Sequence, residues 1–171
     1  MMKQIFFKRS VILCAALVLA ACGFTPMHAP AGSSSTFKTL NIGVDFAENI
    51  DVDDKEAAFW MRQALVERVG ETAAPKHTLR ISPTSSRGGI GISGADIATR
   101  YDLRLRTKYE LVDEKGNIVT KGNVSSVSTF SAASDPYALI SAEKTTTRQL
   151  ADDAADRILV RIATYYANKR P

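Results

Sequence analysis

The chain has 171 residues, with 22 Lys and Arg against 18 Asp and Glu, a formal charge of +4. Lys3, Lys8 and Arg9 sit in an N-terminal leader. Without them the balance is 22 − 3 = 19 against 18, or +1, so the basic character belongs to the precursor and gives no reason to expect a nucleic-acid partner. Of the two cysteines, Cys14 lies in the leader, which rules out a disulfide in the remaining chain. With only His28 and His77 besides, no metal-site spacing exists and no cofactor is expected.

Residues 1–21 read as a signal peptide: a basic start, an apolar run from Val11 to Leu19, and small residues before a cut site. The run is shorter than the roughly 20 residues a membrane-spanning helix needs. Leu19-Ala20-Ala21-Cys22 resembles the lipobox of bacterial lipoproteins, which implies diacylglycerol on the Cys22 thiol, cleavage before Cys22, and acylation of the new amine. Each buried acyl CH₂ adds about 0.8 kcal/mol of membrane affinity, so several chains on one residue hold a protein to a bilayer. Gly23 follows the cysteine where an aspartate would favour inner-membrane retention, so the expected location is the periplasmic side of the outer membrane.

Residues 22–36, with Pro26, Pro30 and Ser33-Ser34-Ser35, read as a lipidated tether, and residues 37–171 as a single domain. Thr39–Phe46 alternates apolar and polar side chains, as a half-buried strand does. Asp54–Val69 reads as a helix with Asp53 and Glu56 at capping-box spacing and Gly70 as its stop. Ala57, Met61, Ala64, Leu65 and Arg68 share one face; Phe59 and Trp60 lie off its centre, packing at its edges or facing a partner. His77–Thr84 predicts a short strand that Pro83 confines to an edge or an end.

From Arg100 to Leu111 the alternation is strict. Tyr101, Leu103, Leu105, Thr107, Tyr109 and Leu111 fall on one face; Arg100, Asp102, Arg104, Arg106, Lys108 and Glu110 fall on the other. Asp113–Asn117 predicts a hairpin loop, and Ile118–Phe130 the returning strand, with Gly122 as a candidate bulge. Asp135-Pro136 opens a last helix that runs to Tyr166 or Ala167. Its buried stripe is Thr147, Ala151, Ala154, Ile158, Ile162 and Tyr165, with a bend expected near Thr145-Thr146-Thr147. The order β-α-β-β-β-α predicts an α+β fold: a four-stranded, mostly antiparallel sheet with two helices packed on one face.

Gly89-Ile90-Gly91-Ile92-Ser93-Gly94 spells a dinucleotide fingerprint, but a strand follows it where the mechanism needs a helix N-terminus. A flexible loop with Arg87 beside its tip is the better reading. No nucleophile elbow is present, and the acids of the last helix interleave with Arg148, Arg157 and Arg161 as on an ion-paired surface. The chain is therefore expected not to be an enzyme; the competing case is a hydrolase working through His77. The row Arg100, Arg104, Arg106 and Lys108 can meet phosphates on an extended ligand, since the arginine fork binds phosphate bidentately. Alternatively, Asp102, Glu110 and neighbouring strands neutralise it.

Cys22-Gly23-Phe24-Thr25-Pro26-Met27, the Tyr101-Asp102-Leu103 strand, and Ser128-Thr129-Phe130 through Asp135-Pro136-Tyr137-Ala138 before a long charged helix together resemble the LPS-assembly lipoprotein family, LptE. The resemblance spans nearly the whole mature chain. It implies an outer-membrane lipoprotein that plugs the β-barrel translocon LptD, assists that barrel's assembly, and binds lipopolysaccharide on its way to the outer leaflet. The place that carries lipopolysaccharide-contacting cations in relatives corresponds here to Gly94. The candidate ligand residues in this chain are therefore Arg87, Arg100, Arg104, Arg106 and Lys108, read from the strand pattern. The alternative is a stand-alone outer-membrane lipoprotein that carries an amphiphile or glycan without a barrel partner.

Overall fold

The computed structural model describes residues 37, 40–47, 50–92, 98–131 and 135–169. The leader, Cys22 and most of the tether lie outside them. Strands β1 (Ile42–Phe46), β2 (His77–Ile92), β3 (Ala98–Asp113) and β4 (Ile118–Ser131) form one sheet in the order β1-β2-β3-β4. β1 runs parallel to β2, and the other pairs are antiparallel. Helix α1 (Lys55–Val69) makes the crossover between β1 and β2, and α2 (Pro136–Asn168) follows β4. The expected class and element order hold.

Both helices lay alanine-rich stripes on one sheet face. Ala57, Ala58, Met61, Ala64, Leu65 and Val69 of α1 are buried, as are Leu150, Ala151, Ala154, Ala155, Ile158, Leu159 and Ile162 of α2. They close over Leu79, Ile81, Leu103, Leu105, Tyr109, Leu111, Val124 and Phe130. Alanine lets a helix approach the sheet closely, and the branched side chains fill the space between. Arg68 of α1 ties the helices together: Nε donates to Asp156 Oδ1 at 2.6 Å, Nη2 to Asp156 Oδ2 at 3.2 Å, and Nη1 to Asp152 at 3.4 Å. Partial burial works against this guanidinium's charge, but the two carboxylates outweigh it and raise its pKa.

Several boundaries differ from those the sequence predicts. β1 begins at Ile42, because Asn41 N donates to Phe37 O at 3.2 Å and Asn41 takes a positive φ of 50°. The expected cap Asp53 has a side chain outside the description. A 3-10 turn over Val52–Asp54 precedes α1, and Asp54 at the N-cap position makes no cap bond. Its buried carboxylate instead accepts from Ser85 N at 2.6 Å and Ser85 Oγ at 2.8 Å. Gly70 ends α1 as expected, at φ 87°.

β2 is twice the expected length. It passes through Pro83 and the glycine run to Ile92, paired with β3 throughout. The proline is tolerated because β1 ends opposite Ile81, so Pro83 stands on an edge. The glycine run up to Ile92 is thus strand and not loop, and residues 93–97 lie outside the description. Gly122 marks no bulge. It pairs in register with Tyr109, and a Cβ there would sit 2.8 Å from the Tyr109 hydroxyl, so the ring occupies that space; the irregularity falls at Leu111/Val112 instead. α2 runs unbroken through Thr145, Thr146 and Thr147, whose hydroxyls donate to the carbonyls of Ser141, Ala142 and Glu143. Its buried stripe passes through Thr146 and Leu150, leaving Thr147 and Tyr165 half-exposed.

Candidate functional site

The face opposite the helices carries the even-numbered side chains of β2 and β3. Arg100, Arg104, Arg106 and Lys108 all point to this open side and are exposed. Register shows what stands beside each one. Across all four strands, Asp45, Arg80, Glu110 and Lys121 form a row of alternating sign. The next three rows of β3 are different. Lys108 lies between Ser82 and Asn123, Arg106 between Thr84 and Ser125, and Arg104 between Ser86 and Val127. No carboxylate is in register with any of the three, and among the described residues none forms an ion pair.

Beyond Arg104 comes Asp102, whose Oδ1 accepts from Thr129 Oγ1 at 2.6 Å. Arg100 follows, between Ile90 and Ser131. The open face therefore has a neutralised end, a strip of three cations walled by hydroxyl and amide side chains and by Val127, and then an acid. Alternate residues of a strand lie about 7 Å apart, so Arg104 and Lys108 are separated by roughly 14 Å. Such a strip can hold two or more phosphates on a sugar scaffold, with the serine and threonine hydroxyls reaching the intervening polar groups. At its neutralised end a cavity of about 550 Å³ opens where β1 stops, lined by Asp45, Phe46, Ala47, Arg80, Ser82, Lys108 and Glu110.

Arg87 is not part of this strip. It pairs in register with Leu103 and so faces the helices; Nη1 donates to Glu143 of α2 at 2.6 Å, and its guanidinium lies 5.3 Å from the Tyr101 ring centre. It stands in a strand and not at a loop tip. Its partners show it pinning the N-terminal part of α2. Phe59 is 59% exposed, whereas Trp60 is half-buried with Arg148 stacked 5.0 Å from its ring.

His77 is held in a structural role. Its Nδ1 donates to Leu40 O at 3.0 Å, and Nε2 faces the Tyr166 hydroxyl at 3.4 Å, so both ring nitrogens have partners among the described residues. Burial raises the Tyr166 pKa, keeping that phenol protonated as the donor to Nε2. Among the described residues, no cluster of His, Cys, Asp and Glu is placed to hold a metal, and no helix is long and apolar enough to cross a membrane.

Sequence alone exposes the cationic row but not two of its determinants. One is the pair of uncharged walls on β2 and β4, of which the hydroxyls on β2 are signalled by the serine and threonine spacing of 82–86 once the strand is extended past Pro83. The other is the cancelling row Asp45-Arg80-Glu110-Lys121, which no single segment reveals.

A family model described as LptE, lipopolysaccharide-assembly, matches residues 39–162. No curated protein sequence matches the chain. Among solved structures, the chain resembles a candidate lipoprotein from Caulobacter crescentus at 26% identity and TM-score 0.63, over 82% of this chain and 99% of that one. It shares its fold with the rare lipoprotein B of Shewanella oneidensis, at 16% identity and TM-score 0.54, over 74% and 96% of the two chains. A minor lipoprotein of Acinetobacter baumannii shares it too, at 14% identity and TM-score 0.53, over 74% and 94%.

Proposed function

Because the chain belongs to the lipopolysaccharide-assembly family LptE, we propose that it is acylated at Cys22, sits on the periplasmic side of the outer membrane, and plugs and helps assemble an LptD-like β-barrel. In this reading it also binds lipopolysaccharide in transit, through Arg104, Arg106 and Lys108 with Arg100 beside them. The coarser role, an accessory lipoprotein of lipopolysaccharide assembly, follows from membership, and a non-enzymatic role is consistent with it.

One observation carries the ligand assignment: three adjacent cations with no acid in register, on a sheet face that neither described helix covers. Phosphate contacts of that kind contribute about 1.5–3 kcal/mol each. The polar face also suits the lumen of a large barrel, whose interior is itself polar. A second reading, a free-standing amphiphile carrier, is favoured by a cavity of about 350 Å³ lined by Phe46, Ala47, Ile50, Lys55, Ala58, Phe59 and Arg62.

The two readings separate on extraction with mild detergent. The first expects the lipoprotein to co-purify with a large barrel protein, and expects the double variant Arg104→Glu, Arg106→Glu to keep the barrel while losing lipopolysaccharide. Recovery of the wild type as a lone monomer from native membranes overturns it. Mass spectrometry of the purified protein checks Cys22; an unmodified thiol there removes the anchor on which the location depends.

A further inference from the structure

Among the described residues, the sheet has three exposed stretches of edge, and two of them are protected. β1 is five residues long and carries Asp45. β2 loses its neighbour where β1 stops, at Ile81, whose carbonyl still accepts from Ala47 N at 3.0 Å. That bond fixes the odd residues of β2 as the ones whose backbone faces outward. The next two outward positions are Pro83, which has no N–H, and Ser85, whose N–H is taken by the Asp54 carboxylate. Gly88, Gly89 and Gly91 then weaken the strand as a pairing template.

β4 carries one charge and one glycine, Lys121 and Gly122, near its start and none of these devices beyond them. It is 14 residues long, or about 46 Å. Carrying the same alternation across β3 makes Lys121, Asn123, Ser125, Val127, Thr129 and Ser131 the outward residues, with their side chains on the open face. From Asn123 to Ser131 the sequence holds no charge, no proline and no glycine. Among the described residues, no hydrogen bond reaches the backbone of this edge from outside the sheet. Native proteins rarely leave an edge of this length and composition open.

We propose that β4 is completed by an extended segment of the barrel partner, added as a fifth strand. This rests on the barrel reading above and names the element that makes the contact. Charge decides against a second copy of this chain. A β4–β4 pairing about a two-fold axis would lay two strips of Arg104, Arg106 and Lys108 on one continuous face. A partner strand adds no such strip, and acids on its open-face side lie beside Lys121 and about 10 Å from the cations. The expected segment alternates hydroxyl or β-branched residues with acidic ones.

Amide hydrogen exchange on the detergent-purified mature lipoprotein, alone and with its barrel, tests the pairing. The amides of Asn123, Ser125, Val127 and Thr129 are expected to exchange in the lone protein and to slow by tenfold or more in the complex. Ser125→Pro removes an outward N–H without touching the bonds to β3, as Pro83 does on β2. It should lower barrel recovery about tenfold, while Ser125→Ala, which keeps the N–H, recovers the barrel as the wild type does. If the proline variant fails to fold, Val127→Lys, an outward charge on an exposed position, replaces it with the same expected loss. A complex that forms with β4 amides still exchanging, or that tolerates both Ser125→Pro and Val127→Lys, overturns the strand addition alone. Absence of any barrel overturns the functional reading and this inference with it. Concentration-dependent protection of the same amides in the lone protein assigns the edge to a second copy and overturns it too.

Discussion

The two faces of this sheet use the same strands for opposite purposes. On the helix side, the odd residues of β3 run Leu103, Leu105, Thr107, Tyr109 and Leu111, all buried. On the open side, the even residues run Arg104, Arg106 and Lys108, all exposed. Burying one face under two alanine-rich helices provides the stability, which releases the other face from any packing duty and lets it carry unpaired charge. The comparison breaks most sharply at Leu105, which is 1% exposed at the centre of the covered face. Leu105→Ala removes buried contacts and leaves a cavity, at a cost of about 2–5 kcal/mol. Urea unfolding of residues 37–171 measures it; a loss below 1 kcal/mol would mean that the covered face is not the core.

A smaller effect is expected at a polar contact within the covered face. Ser126 of β4 is buried and its hydroxyl donates to Asp153 Oδ2 of α2 at 2.6 Å, while Arg157 holds the same oxygen at 2.9 Å. Partial burial pushes the Asp153 carboxyl up, but the bonds from Ser126 and Arg157 outweigh it, and the group titrates below the usual carboxylate range. The folded-state pKa is depressed, so the contribution is present above the unfolded value of about 3.9 and is lost as pH falls through the folded one. The side chain is 46% exposed, which limits the contribution to under about 1 kcal/mol. Asp153→Asn should therefore lower stability slightly at pH 7 and flatten the loss of stability below pH 4. Equal acid slopes in variant and wild type would remove the anchoring role.

Period two makes the β3 faces legible in the residue order itself, because a strand with one wet face writes its burial directly into its alternation. The same rule fails on β2. Pro83 and the glycine run look like punctuation, and only the early end of β1 makes them acceptable within a strand. Asp54 is out of reach for another reason: its partner Ser85 is 31 residues away, and local capping rules favour a nearer use for the aspartates. Gly122 reads as a bulge because its meaning lies in the Tyr109 ring across the strand. For the candidate site, the row of cations is visible but their neutralisation is not. Glu110 looks as able to quench Lys108 as any other neighbour, yet register sets Glu110 between Arg80 and Lys121 and leaves Lys108 between Ser82 and Asn123. Arg87 is misplaced for the same reason, since its orientation depends on pairing with Leu103 through a segment that reads as loop.

The smallest stability effect is expected where the functional effect should be largest. Arg106 projects from the middle of the open face between Thr84 and Ser125, with no ion pair among the described residues. Replacing it removes no buried contact, and Arg106→Gln keeps much of the stem and hydrogen-bonding capacity while deleting the charge. Its effect on unfolding free energy should stay within about 0.5 kcal/mol, in either direction. A slight gain is the more informative outcome: with Arg104 and Lys108 about 7 Å to either side, deleting the central charge relieves like-charge repulsion that only ligand phosphates offset. Paired measurements of unfolding and of lipopolysaccharide retention on this one variant set the two faces against each other. A loss of more than 1 kcal/mol in stability, or unchanged retention at low salt, would return Arg106 to the ordinary solvated surface of the sheet.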